Sequence, residues 1–134
     1  MRIVLDASVA IAAQRPTEPA YAASRARLVR FLTGQDTVLV PSFFIVEVSG
    51  ALARLGFGSK TIVRFVERLT SAPHEVVTVG PRSARAARSI AVRGKLRGPD
   101  ALYVWLGGRE GAPVCTLDRE ILARGVRFCQ VMGP

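Results

Sequence analysis

The sequence predicts an α/β fold in which a parallel sheet is covered by helices on both faces. Three observations carry this. Short apolar, β-branched runs alternate with longer segments of helical periodicity, and that alternation builds parallel sheets buried on both sides. Nearly half of the 134 residues are hydrophobic, which suits one buried core and argues against disorder. Acids stand just past predicted strand ends, where ligands bind in open α/β sheets.

Arg2-Ile3-Val4-Leu5 is apolar and β-branched and predicts a central strand, ended by Asp6. Ala7 to Ala13 predicts a short helix, with Asp6 available as its N-cap. Pro16 and Pro19 mark a loop. Glu18 to Leu32 reads as amphipathic, with Ala20, Ser24, Leu28 and Leu32 or Phe31 on one side and Arg25, Arg27 and Arg30 mostly off it. After a turn at Gly34-Gln35-Asp36, Thr37 to Val40 is the second strand, stopped by Pro41. Ser42 then caps a helix from about Phe43 to Leu55, in which Phe44, Val48, Ala51, Leu52 and Leu55 follow helical spacing. Glu47 falls on that apolar face. A buried carboxylate is costly unless it is paired or binds a metal, and the only cation within this helix is Arg54, two turns away.

Ser59 is placed to cap a helix to about Thr70, with Ile62, Val63, Val66 and Leu69 inward. Glu75 to Val79 predicts a third strand, and Ser83 to Val92 a helix with Ala84, Ala87, Ile90 and Ala91 inward. Pro99 suits the first turn of the next helix and puts Asp100 there too. The apolar run Ala101 to Leu106 buries that helix, and Gly107-Gly108 is expected to end it. Pro113 to Thr116 is a short buried strand, with Asp118 just beyond its C-terminal end. A helix from Arg119 to Arg124 and a last strand from Val126 to Val131 close the chain.

The formal charge of +9 predicts attraction to nucleic acid or an acidic partner. Arginine outnumbers lysine 17 to 2, and guanidinium suits bidentate phosphate contact. The densest basic stretch, Arg82, Arg85, Arg88, Arg93, Lys95 and Arg97, leads directly to Asp100. It reads as a solvated helix face or as a phosphate-contacting one. Cys115 and Cys129 lie in apolar segments and read as small core residues of a reducing cytoplasm. No apolar run is long enough for a membrane span, and no signal peptide is expected.

Elimination narrows the chemistry. The one histidine, His74, stands beside Pro73 without a nucleophile motif. Neither GxxxxGK[ST] nor GxGxxG occurs, so the usual phosphate loops are missing. Carboxylates remain: Asp6 and Asp118 after strands, Asp100 at a helix start, Glu47 on a helical face. Asp6, Asp100 and Asp118 also read as helix caps. Hard divalent cations take oxygen ligands and promote displacement at phosphorus. Acids and basic charge together suggest metal-dependent cleavage of nucleic acid.

Leu5-Asp6-Ala7-Ser8, the Glu47 helix, Gly98-Pro99-Asp100-Ala101-Leu102 and Thr116-Leu117-Asp118-Arg119-Glu120 resemble the four acidic motifs of PIN domains, in order and over the whole chain. A small domain of this kind is most similar to VapC-type toxins of toxin–antitoxin pairs. The resemblance implies a single PIN-like domain over residues 1–134, with a three-layer α/β/α fold and a central, mostly parallel sheet. It implies that Asp6, Glu47, Asp100 and Asp118 are the catalytic acids around Mg²⁺ or Mn²⁺, that Ser8 and Thr116 support them, and that Glu120 stands where relatives carry a further acid. RNA is the implied substrate, with Arg85, Arg88, Arg93, Lys95 and Arg97 as candidate phosphate contacts. A cognate antitoxin and a homodimer follow from the same resemblance, and the cysteine usage points to a cytoplasmic location. The alternatives are an RNA-processing PIN nuclease without an antitoxin, a non-catalytic RNA-binding relative and a receiver-like signalling domain. The last wants paired acids at the first strand and a late lysine. Here Asp6 stands alone, and the lysines are Lys60 and Lys95.

Overall fold

A computed structural model describes residues 1–134. Five strands form one wholly parallel sheet: β1 (Arg2–Leu5), β2 (Thr37–Pro41), β3 (Glu75–Val77), β4 (Val114–Cys115) and β5 (Val131–Met132), in the spatial order β3-β2-β1-β4-β5. Seven helices flank it: α1 (Ala7–Ala12), α2 (Tyr21–Leu32), α3 (Phe44–Arg54), α4 (Ser59–Thr70), α5 (Pro81–Gly94), α6 (Gly98–Glu110) and α7 (Arg119–Arg124). This is the expected α/β arrangement.

The central strands are apolar where they cross the core. Ile3, Val4, Leu5, Val38, Leu39, Val40, Val114 and Cys115 are all fully buried, as strands covered on both faces must be. Helix α6 lies against β1, β2 and β4 and is in turn covered by α5, so Tyr103, Val104 and Leu106 are fully buried.

The strand order fixes where a ligand can sit. From β1 the chain builds outward through β2 to β3, then returns to the other side of β1 for β4 and β5. The order reverses between β1 and β4. Crossovers leave on opposite sides there and open a crevice at the strands' C-terminal ends. Leu5 pairs with Cys115, and the Asp6 N–H donates to Cys115 O at 3.0 Å. Asp6 and Thr116 therefore emerge side by side at the crevice.

Several expected boundaries shift. Helix α6 runs through Gly107 and Gly108 to Glu110, and Gly111 ends it with φ 60°. Gly107 is there for packing: a Cβ on it would lie 2.6 Å from Val114 Cγ2. Gly125–Arg127 is a 3₁₀ turn, which confines β5 to Val131–Met132. Helix α2 starts at Tyr21, so Glu18 lies in the preceding loop and pairs with Arg15. Ser42 does not cap α3; its hydroxyl accepts from Val79 N at 3.1 Å. Ser59 lies inside α4, which starts after Gly58. Val63, Leu55 and Ala84 face solvent because neighbouring helices cover a narrower stripe than their apolar periodicity suggests. Cys115 and Cys129 are free thiols, both pushed up to about 11 by burial.

Candidate active site

Four separate elements deliver acids to one cleft of about 360 Å³, lined by Asp6, Ser8, Glu47, Arg97, Asp100 and Asp118 among others. Asp6 comes from the end of β1, Glu47 from α3, Asp100 from the first turn of α6, and Asp118 from the start of α7. The hollow between α2 and α4, by contrast, is lined by Arg25, Arg64 and Arg68 over Leu28 and Phe65 and holds no acid.

Asp6 is 5% exposed and forms no ion pair. Hydroxyls hold it instead: Ser8 Oγ donates to its Oδ2 at 2.5 Å and Thr116 Oγ1 donates to the same oxygen at 2.6 Å. Both hydroxyls accept in turn, Ser8 from Leu117 N at 3.0 Å and Thr116 from Asp118 N at 2.9 Å. One carboxylate oxygen thus ties the loop after β1 to the loop after β4. Burial raises the Asp6 pKa above its ordinary value; the two hydroxyls pull it back, and the charge of Asp118 pushes it up.

Asp100 is also largely buried, and its only side-chain partner is Arg97, whose Nε donates to Oδ2 at 3.1 Å. Burial again raises its pKa, Arg97 opposes, and Asp118 and Asp6 add to the rise. Glu47 differs from expectation. It lies on the exposed rim of the cleft, outside the narrow stripe of Phe44, Val48 and Leu52 that α3 buries. Its carboxylate still leans inward, where Tyr103 Oη donates to Oε2 at 2.7 Å. Loss of water around that end raises its pKa, Tyr103 lowers it, and Asp6 and Asp100 raise it further.

Cap geometry separates the two readings of these acids. Asp118 does cap: its Oδ1 accepts from Glu120 N at 2.8 Å and Ile121 N at 3.0 Å, while its Oδ2 accepts from Arg97 Nη2 at 3.0 Å. Asp6 occupies the N-cap position of α1 without making a side-chain cap bond. The N-cap of α6 is Arg97, so Asp100 is no cap. Only one of the three is accounted for by helix termination.

The donor set suits a hard cation. It consists of carboxylates and hydroxyls, with no thiol or imidazole, and two of its acids, Asp6 and Glu47, have no cationic partner in the chain. As the side chains stand, no three His, Cys, Asp or Glu groups are clustered so as to hold an ion, and Arg97 lies between Asp100 and Asp118 instead.

Glu120 is not drawn in. It is exposed and faces Arg124 across one helical turn at 3.5 Å. Arg85 and Arg88 are exposed on α5 with no ion-pair partner, while Arg93 lies over the Phe128 ring at 5.5 Å. Lys95 ends α5 in the left-handed region, φ 51°, and its carbonyl accepts from Arg124. His74 serves the sheet and stands apart from the cleft. Its Nδ1 accepts from Val38 N at 3.1 Å, and burial lowers its pKa, so it stays neutral. Tyr103 was missing from the expected site. Its signal was present, since it lies three residues after Asp100, on the same helical face, and a buried tyrosine hydroxyl needs a partner.

Comparison with known proteins agrees with this fold. The PIN domain family matches residues 3–126. Among solved structures the fold is similar to VapBC2 from Rickettsia felis bound to a promoter DNA fragment, at 12% identity and TM-score 0.71, covering 100% of this chain and 99% of that one. It is also similar to Mycobacterium tuberculosis VapC20, a Sarcin-Ricin loop cleaving toxin, at 17% identity and TM-score 0.72, covering 90% and 93%. FitAcB from Neisseria gonorrhoeae aligns at 18% identity and TM-score 0.68, covering 97% and 96%. No curated protein matches. From the family match over nearly its whole length, the chain belongs to the PIN domain family.

Proposed function

We propose that this protein is a metal-dependent endoribonuclease that hydrolyses RNA phosphodiester bonds as the toxin of a toxin–antitoxin pair. The observation that carries the reading is the delivery of Asp6, Glu47, Asp100 and Asp118 from four elements to one cleft at the reversal of strand order. The family match over residues 3–126 supports reading residues 1–134 as one PIN-like domain.

Asp6, Asp100 and Asp118 would hold Mg²⁺ or Mn²⁺, with Glu47 at the rim. A divalent ion there supplies an activated water and stabilises charge developing at phosphorus. The chain's own residues do the rest. Ser8 and Thr116 fix the Asp6 carboxylate and oppose the rise that burial gives its pKa. Tyr103 does the same for Glu47. Burial pushes the Tyr103 hydroxyl far above its ordinary pKa, so it remains a proton donor at every working pH. Arg85, Arg88, Arg93, Lys95 and Arg97 are proposed to hold the RNA backbone, the first two with guanidinium groups that nothing in the chain engages. Glu120 points to Arg124 and is left out of the proposed ligand set.

The solved relatives that contain both toxin and antitoxin support an antitoxin partner for this chain. A homodimer and a cytoplasmic location belong to the same proposal. No helix is long and apolar enough to cross a membrane. The test is expression in cells, alone and with the product of the adjacent gene, followed by sequencing of RNA ends. Growth arrest with new RNA 5′ ends, relieved by the neighbour, is the expected result. Harmless expression of active protein would favour an RNA-processing nuclease.

A further inference from the structure

Arg97 stands where a helix cap belongs and caps nothing. It is the N-cap of α6, a position that favours Ser, Thr, Asp or Asn, yet its side chain makes no cap bond. Its guanidinium instead bridges the cleft, with Nε on Asp100 Oδ2 at 3.1 Å and Nη2 on Asp118 Oδ2 at 3.0 Å. The side chain is 72% exposed, so these two bonds are what hold it there.

We propose that Arg97 is a counter-ion built into the chain, which bridges Asp100 and Asp118 in the metal-free protein and must swing out for a divalent cation to bind. This rests on reading the cleft as a cation site. The bridge takes one oxygen of each acid, through two different nitrogens of one planar guanidinium, a rigid fork that the flexible point charge of an ammonium does not reproduce. Guanidinium stays charged at any working pH, so it cannot leave by losing a proton. A second cation drawn to the same oxygens therefore meets a fixed positive charge within hydrogen-bond distance. Release is feasible because the side chain projects from the mouth of the cleft and water replaces both bonds. Asp118 remains positioned after release, since its Oδ1 stays on the N–H groups of Glu120 and Ile121. Asp100 has no other side-chain partner and becomes free to turn toward an ion.

Linkage makes this measurable without cleavage. If the bridged state is populated about 90% of the time, the apparent metal Kd is raised about tenfold over the open state. Reciprocally, metal must drive the guanidinium out. The experiment is calorimetric titration of Mn²⁺ into the metal-free full-length parent, Arg97→Gln and Arg97→Lys. It is paired with the Arg97 Nε–H resonance of the parent during Mg²⁺ titration and with metal-free melting temperatures.

Arg97→Gln is expected to bind Mn²⁺ about tenfold tighter and to melt at a lower temperature without metal, because the two acids lose their counter-ion. Arg97→Lys keeps the charge but not the bridge, and is expected to show most of that gain in affinity. The Nε–H resonance is expected to shift toward that of a free arginine as Mg²⁺ binds. Unchanged Mn²⁺ affinity in Arg97→Gln overturns the proposal. So does tighter binding in Arg97→Gln with parent-like binding in Arg97→Lys, since long-range charge would then suffice without a bridge. Parent binding together with unaltered variants defeats the Arg97 inference alone. Absence of Mn²⁺ binding to every form defeats the cation-site reading and this inference with it.

Discussion

At the scale of single residues, the cleft is organised by hydrogen bonds to charges that burial disfavours. Asp6, Glu47 and Asp100 all have pKa values raised in the fold. For such groups the stabilising contribution is full below the unfolded pKa and is lost as pH rises through the folded pKa. The ionised Asp100 thus weakens the metal-free protein at neutral pH. Asp100→Asn is expected to melt at or above the parent in EDTA at about pH 7, with the difference vanishing near pH 4. Clear destabilisation at neutral pH would mean that the Arg97 pairing outweighs burial. Tyr103→Phe removes the donor to Glu47 and keeps the ring packed edge-on against Phe43. Glu47 then ionises less readily, so the acid limb of the kcat/KM profile should move to higher pH. An unmoved limb would place Glu47 outside the reaction. The acids themselves were legible, because carboxylates past strand ends and at a helix start are visible in sequence. Their partners were less so: Tyr103 hid in an apolar run, and Arg97 looked like one basic residue among many. Glu47 was read as buried because apolar periodicity cannot show how narrow a stripe of the helix is covered.

At the scale of elements, close approach decides where the acids end up. Helix α6 must lie flat on β4 to bring Asp100 over Asp6, and Gly107 permits it. Gly107→Ala would set a Cβ 2.6 Å from Val114 Cγ2 and 3.0 Å from Ala112 O. Overpacking of this kind costs about 1–3 kcal/mol, which urea denaturation would detect. A neutral effect would mean that α6 and β4 are free to separate. Sequence reading placed the helix end at Gly107 for the same reason that it failed: glycine signals a terminus and a tight contact alike. The last strand was overestimated because Val126 is apolar yet exposed in a 3₁₀ turn. Asp36 joins other elements at the start of β2. It is held by Arg30 at 2.6 Å and the N-terminal amine at 3.2 Å, and Arg30 chiefly lowers its pKa. The sign is opposite to that of the cleft acids. Its contribution is present above the unfolded pKa and fades as pH falls through the folded one. Asp36→Asn should lower the melting temperature at neutral pH and approach the parent in strong acid.

At the scale of the whole molecule, a strongly basic chain carries an acid-lined cleft. A formal charge of +9 draws in a polyanion, while four acids would repel its phosphates unless a cation stands between. Binding to single-stranded RNA should weaken with salt by a log–log slope of roughly −0.7 per phosphate contact. Neutralising Arg85 and Arg88 together should flatten it by about 1.4. An unchanged slope would route the RNA over another face. The fold class was legible because the alternation of elements admits few sheets, and the order of four acids narrowed it further. The strand order, and with it the crevice between β1 and β4, emerged only from the structure, since local pattern carries no information on which strands pair.

The central claim is that these acids hold a divalent ion that cuts RNA. Its most direct test is cleavage of a single-stranded RNA by the purified protein in excess EDTA, then with Mn²⁺ restored, alongside Asp6→Asn and Asp100→Asn. The parent should be inactive in EDTA and active with Mn²⁺, and each variant should lose about 100-fold or more while remaining folded, as expected on removing a group that stabilises developing charge. Cleavage undiminished in EDTA, or full activity in both variants, would contradict it.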